Sequence, residues 1–251
     1  MKRSTALYII LLLCACANVC AQEARNRPYI DDKLFHFGFQ LGVNFSSFGV
    51  TDSNVPVDMR GNMELLHARV SGMMPGLHVG FVTDLRLNQY FNLRFCPGLQ
   101  FASRTITYKA ESGSPVHSTE TDIDNKPIYG TNMDVLSMPI YLPLYLKFSA
   151  IREGNYRPYV IAGGGASFNV SRDINKPVLL NTMDYFCEFG LGVDIYFRWF
   201  KWCPEITYRL GFANQLCPAD KHPQLEAANA FYTNSITRLQ SHCICLTFNF
   251  E

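Results

Sequence analysis

Apolar residues in this chain recur at every second position, over eight separate stretches. Phe35, Phe37, Phe39, Leu41, Val43 and Phe45 take odd positions, with His36, Gly38, Gln40, Gly42, Asn44 and Ser46 between them. A helix would scatter such a set around its surface, whereas a strand sorts it onto two faces. The pattern returns with Leu77, Val79, Phe81, Leu85 and Leu87 against His78, Gly80, Asp84 and Arg86. It continues with Phe91, Leu93, Phe95, Leu99 and Phe101 against Asn92, Arg94, Cys96, Gly98 and Gln100. Residues 136–148 set Met138, Ile140, Leu142, Leu144 and Leu146 opposite Pro139, Tyr141, Tyr145 and Lys147. Residues 159–171 are strand-like but Gly-rich, without a clear facing. Tyr185, Phe189, Leu191, Val193, Ile195 and Phe197 alternate with Glu188, Gly190, Gly192, Asp194 and Tyr196. Trp202, Ile206, Tyr208, Leu210 and Phe212 oppose Cys203, Glu205, Arg209 and Gly211, and Ile244, Leu246, Phe248 and Phe250 oppose Cys243, Cys245, Thr247 and Asn249.

These stretches run to about 10–15 residues, longer than the 5–6 usual in globular strands and close to the 9–11 of membrane-crossing ones. The connections alternate in length. Residues 87–90, 149–155 and 198–199 are short, 49–74, 105–134 and 213–234 are long and polar, and 172–181 is intermediate. Short turns at one end and long loops at the other describe an all-β, eight-stranded antiparallel transmembrane up-and-down β-barrel over residues 34–251. Both termini then lie on the short-turn side. Period alone does not say which face is inside, because a soluble barrel alternates in the same way. Three features point the apolar face at lipid. It is too bulky for an eight-stranded lumen, the other face is rich in Gly, Ser and Asn, and the last strand closes on Phe248-Asn249-Phe250. Only 17% of the chain is charged and 14% is aromatic, against a usual charged share of about 25%. A formal net charge of +1 argues against nucleic acid as a partner.

Residues 1–21 read as a secretory signal peptide cleaved after Ala21: a basic start, a short apolar run at 6–17 and a small residue before Gln22. An alternative is lipoprotein processing at Cys16, in the box Leu13-Cys14-Ala15-Cys16. Residues 22–33 are then a periplasmic N-terminal segment, and the mature chain has 20 basic against 21 acidic residues, a net charge of −1. No later stretch is long enough for a transmembrane helix. Six Cys remain, with no zinc-type spacing. Cys203 shares an inward face with Cys243 and Cys245, which leaves a cross-strand disulfide or free thiols open, while Cys187 points to lipid.

On the inward face fall His36, Asp84, Arg86, Arg94, Lys147, Glu188, Asp194, Glu205 and Arg209. Buried charges need partners, and eight strands leave no aqueous channel. The plain reading is therefore a salt-bridge network filling the lumen; the sharper one is a proton or ligand path. No catalytic, cofactor or metal residues are assigned. His67, His117 and His222 sit in long loops, as do Ser114, Ser118 and Asp122, and residues 118–122 read as a solvated acidic stretch. A lipid-modifying hydrolase would need such groups to converge at a rim.

Several pieces resemble the PorT family. They are Tyr29-Ile30-Asp31-Asp32-Lys33 leading into His36-Phe37-Gly38-Phe39, and Arg86-Leu87-Asn88 with Asn92-Leu93-Arg94-Phe95-Cys96-Pro97-Gly98-Leu99. Others are Leu142-Pro143-Leu144-Tyr145-Leu146-Lys147, Tyr156-Arg157-Pro158-Tyr159-Val160-Ile161-Ala162-Gly163-Gly164, Gly190-Leu191-Gly192-Val193-Asp194 and Phe200-Lys201-Trp202-Cys203-Pro204-Glu205-Ile206. Residues 235–239 and the closing Phe248-Asn249-Phe250-Glu251 complete the series. The resemblance covers nearly all of the chain beyond residue 21, loops excepted. It implies a non-enzymatic outer-membrane component of the type IX secretion and gliding apparatus of Bacteroidetes, needed to export cargo with a C-terminal sorting domain. The partners it implies are outer-membrane lipid, other type IX components and secreted cargo. A generic small outer-membrane barrel, structural or adhesive through its loops, is the alternative.

Overall fold

In a computed structural model the protein is described over residues 25–59, 62–70, 72–118, 128–171, 174, 176–222 and 229–251. The leader at 1–21, Cys16, the start of the N-terminal segment and most of the 118–122 stretch lie outside the described residues. The strands are β1 (Phe35–Asp52), β2 (Val57–Met59), β3 (Asn62–Glu64), β4 (Leu66–Val70), β5 (Met74–Arg86), β6 (Phe91–Phe95), β7 (Gly98–Gln100), β8 (Ala102–Ala110), β9 (Asn132–Ser149), β10 (Tyr156–Ser171), β11 (Met183–Tyr196), β12 (Lys201–Gly211) and β13 (Ile236–Phe250). A short helix α1 (Ala230–Asn234) precedes β13. The fold is an all-β antiparallel barrel. β1 pairs with β5 and β13; β5 with β6 and β7; β6, β7 and β8 with β9; and β9 through β13 each pair with the next.

The stretch expected as one strand over 91–101 is divided at Cys96-Pro97. Proline has no N–H to give the ladder, and its carbonyl instead accepts from Phe81 N at 2.9 Å. Parity survives the break: Arg94, Gln100, Arg104 and Tyr108 all point inward. The Gly-rich β10 also acquires a facing, with Tyr159, Ile161, Ser167 and Asn169 buried.

The partition is inside-out. Phe37 is 69% exposed, Phe81 70% and Leu191 61%, whereas Asp84 and Arg94 are 0% exposed. On β1 the outward apolar run spans residues 35–45, and Ser47, Gly49 and Thr51 follow it. Ten residue steps at ~3.3 Å, tilted ~40°, rise ~25 Å, the height of the apolar band of an outer-membrane barrel.

The long connections are not the polar loops the sequence suggests. Above the apolar band, Phe48, Ile106, Val135, Leu180, Leu216, Phe231, Tyr232 and Leu239 belong to one buried cluster. Residues expected in loops supply most of it: β4, β8, the start of β9 and α1 all fold there, and His67 lies on β4 rather than in a loop. Two connections are stitched together by Asn181 N to Gln215 O at 2.7 Å and Cys217 N to Leu179 O at 2.9 Å. The inward face of β8 turns from polar to apolar at Ile106 and Tyr108, so the barrel ends in an apolar cap. Tyr108 stacks edge-on against Tyr232 at 5.0 Å, and burial pushes its phenol well above the ordinary value, which keeps it neutral.

An arginine placed mid-band should report this partition. Leu142→Arg is expected to cost about 2–4 kcal/mol of folding stability in lipid vesicles, and Ser47→Arg, beyond the band, under about 1 kcal/mol. Equal costs in denaturant titrations would contradict the outward apolar face.

Candidate functional site

The lumen holds the chemistry of this chain, and strand register decides who meets whom. Asp84 and Arg94 are direct cross-strand partners on β5 and β6, as are Glu188 and Arg209 on β11 and β12. Arg94 donates from Nε and Nη2 to Asp84 Oδ2 at 3.2 and 2.9 Å, from Nη1 to Glu205 Oε2 at 3.1 Å, and from Nη2 to Glu251 Oε1 at 3.1 Å. One guanidinium thus serves three carboxylates from β5, β12 and the residue after β13. A fork of five N–H donors makes arginine the side chain suited to this.

Lys147 Nζ donates to both Asp194 oxygens at 2.8 Å, and Lys201 Nζ lies 2.5 Å from Glu251 Oε2. Between these groups stands Tyr159, whose hydroxyl donates to Glu205 Oε2 at 2.9 Å. Its ring carries Lys147 Nζ 3.9 Å and the Arg94 guanidinium 5.4 Å from the centroid. Gly192 is what admits that ring. It pairs directly with Tyr159, and a Cβ on it would fall 2.3 Å from Tyr159 Cζ.

Nearer the cap, Arg209 donates to Glu188 Oε2 at 2.7 Å and to Gln100 Oε1 at 2.9 Å, with Tyr141 3.8 Å beneath its guanidinium. Gln100 Nε2 continues to Ser46 Oγ and to Cys243 Sγ, both at 3.2 Å. Every charge in these layers faces an opposite charge or an aromatic ring. The arrangement can hold strands together across the lumen and exclude water.

Of the nine inward residues, Asp84, Arg94, Glu205, Lys147, Asp194, Glu188 and Arg209 lie in these buried ion pairs. The other two depart from the expected lumen network. Arg86 sits half-buried at the short-turn rim and pairs with Asp32 at 3.0 Å, because β5 ends there. His36 is buried but bonds the Ile30 carbonyl through Nε2 at 2.8 Å, not a charge.

The alternation extends past the ends of the expected stretches. Lys201 has the parity of Glu205, and Glu251 that of Asn249, each one residue beyond the alternating stretch, and both side chains are buried. Tyr159 was hidden by the unclear facing of β10; the glycine opposite it was the available signal. The N-terminal segment gave no periodic signal at all. It crosses the short-turn end, where Arg152 donates to the carbonyl of Asn26 and lies 3.4 Å from Asp31 Oδ2, and Tyr196 donates to Asp31 Oδ1 at 2.7 Å.

The cysteine question is settled by register. Cys203 faces Asn249, Cys243 faces Arg209 and Cys245 faces Thr207, and all six described cysteines are free thiols. Cys187 is on the outward parity of β11. The polar groups expected in loops each have a separate partner: His67, on β4, with Asp52 at 3.0 Å, His117 with the Pro115 carbonyl at 3.1 Å, His222 with the Lys176 carbonyl at 3.0 Å, and Ser114 with Glu64 at 3.3 Å.

Residues 20–216 match the family described as outer membrane protein beta-barrel domain. Among solved structures the chain is similar to Neisserial surface protein A, NspA, at 8% identity over 86% of this chain and 98% of that one, with a TM-score of 0.42. It is similar to OprG from Pseudomonas aeruginosa at 11% identity over 85% and 94%, TM-score 0.45. AlkL, solved by solid-state NMR in lipid bilayers, aligns at 11% identity over 93% and 96%, TM-score 0.35. No curated protein matches the chain.

Removing one member of a buried pair should cost far more than removing both. Glu188→Leu is expected to lower unfolding free energy by about 3–5 kcal/mol, because Arg209 is stranded, and adding Arg209→Met should recover most of that loss. Additive losses in a double-mutant cycle of denaturant unfolding would show that the pair is not coupled.

Proposed function

The chain belongs to the outer membrane protein beta-barrel domain family, and from that premise we propose that it is a non-enzymatic outer-membrane component required for protein export by the type IX secretion system. In this reading residues 34–251 form an eight-stranded closed barrel. The leader is removed after Ala21, and both termini and the short turns face the periplasm. The barrel acts by binding other secretion components or cargo rather than by chemistry or conduction.

The observation that carries the mode of action is a lumen occupied by paired charges and capped by apolar residues. Arg94 ties Asp84, Glu205 and Glu251 across the interior, and the cluster around Ile106, Tyr232 and Leu239 covers the long-loop end. That arrangement supports a role for surfaces: the N-terminal segment and short turns on one side, the outer connections on the other. The type IX assignment itself rests on the ordered resemblance of the strand motifs to the PorT family.

Deleting the gene should leave cargo with a C-terminal sorting domain trapped in the periplasm while the outer membrane stays intact. The measurement is the partition of one such cargo between periplasm and medium, with and without complementation. Normal export would replace this reading with that of a structural or adhesive barrel.

A further inference from the structure

A cavity of about 480 Å³ opens at the short-turn end of the lumen, between the barrel rim and the N-terminal segment. Its wall is unevenly charged. Arg25, Arg86, Lys147, Arg152, Arg157 and Lys201 line it, against Asp31, Asp32 and Asp194. The carboxylates are all engaged. Asp194 accepts from Lys147 and Asp32 from Arg86, while Asp31 is shared by Arg152 at 3.4 Å and Arg157 at 3.7 Å. Lys201 is met by Glu251. Arg25 has no acidic partner among the described residues and donates to the carbonyl of Arg152 at 3.2 Å. Two arginines therefore share one carboxylate and a third has none.

The same wall holds two polar atoms with nothing to bond. Ser149 is 1% exposed and His36 7%, yet Ser149 Oγ and His36 Nδ1 have no hydrogen-bond partner among the described residues. Leaving such a group unsatisfied costs about 1–3 kcal/mol. His36 Nε2 donates to the Ile30 carbonyl, so its Nδ1 is an acceptor, and the Ser149 hydroxyl is the donor that an anionic oxygen would satisfy. Arg152 and Arg157 give most of their donors to main-chain carbonyls, so what they add to the cavity is positive charge. Arg25 makes one bond, from Nη2 to the Arg152 carbonyl, and its remaining planar fork suits phosphate or carboxylate oxygens.

We propose that this cavity binds a small oxyanion, a phosphate or carboxylate group drawn by the excess positive charge and held by Arg25 and by Ser149 Oγ. The group can come from a free solute or from the headgroup of an anionic phospholipid. The site does not depend on the secretion assignment, so either can fail without the other.

The test is calorimetric titration of inorganic phosphate, and separately citrate, into the full chain folded in phosphatidylcholine nanodiscs. A Kd near ~1 mM or tighter is expected for at least one, weakened about tenfold by Ser149→Ala and by Arg25→Gln. Heat-modifiable migration shows that each variant retains its barrel. In discs containing phosphatidylglycerol, loss of the titration identifies the headgroup as the source, and an unchanged titration identifies the free solute; both support the site. No binding of either anion with Kd below about 10 mM, or wild-type affinity in both folded variants, overturns it.

Discussion

When a sheet turns its apolar face outward, the charges on its other face are confined to a space with little water, and each must find a counter-charge there. The Arg94 guanidinium is where this constraint acts most heavily. It is fully buried, and its donors reach carboxylates on β5, on β12 and just beyond β13. Tyr159 joins β10 to that group through Glu205, and Lys147 with Asp194 joins β9 to β11. The cross-section of the lumen is thus set by ion pairs and aromatic faces where a soluble domain would use an apolar core. Such pairs are weak sources of stability because desolvation offsets attraction, but leaving one member alone is costly. That asymmetry favours one register over any slipped alternative.

The two ends close by different physics. At the long-loop end the apolar effect operates conventionally: Leu239 and Tyr232 are each 0% exposed, within a cluster drawn from four connections and the strand extensions. At the short-turn end the closure is polar, made by Arg152, Asp31 and Tyr196 over residues 25–34. Ile30 is the buried apolar residue of that segment. The cavity proposed to take an oxyanion sits beneath this polar closure. A ligand entering there would meet the charged layer directly, while the apolar cap separates that layer from the other side.

The alternation made the strands legible well, and it made half of the site legible. Asp84, Arg94, Glu188 and Arg209 were readable as inward charges because parity is conserved along an extended chain. Arg86 was misplaced because parity gives a face and not a depth, and β5 ends beside it. The cap was missed for a related reason. Residues 102–110 keep the parity of β6 and β7, but their outward side chains turn polar at Ser103, Thr105, Thr107 and Lys109. With the apolar residues now inside, the stretch no longer matches a lipid-facing pattern and reads as loop.

What the sequence determined alone is the local part: eight extended stretches, their two faces, and the alternation of short and long connections. These follow from backbone geometry at single residues and need no knowledge of neighbours. Tertiary structure alone decided the non-local part. Cys203 meets Asn249 instead of another cysteine, Gly192 makes room for Tyr159, and Arg94 gathers three acids far apart in the chain. Such meetings depend on register and on barrel curvature, which bring side chains into hydrogen-bond contact across strands whose separation along the chain carries no information about that distance.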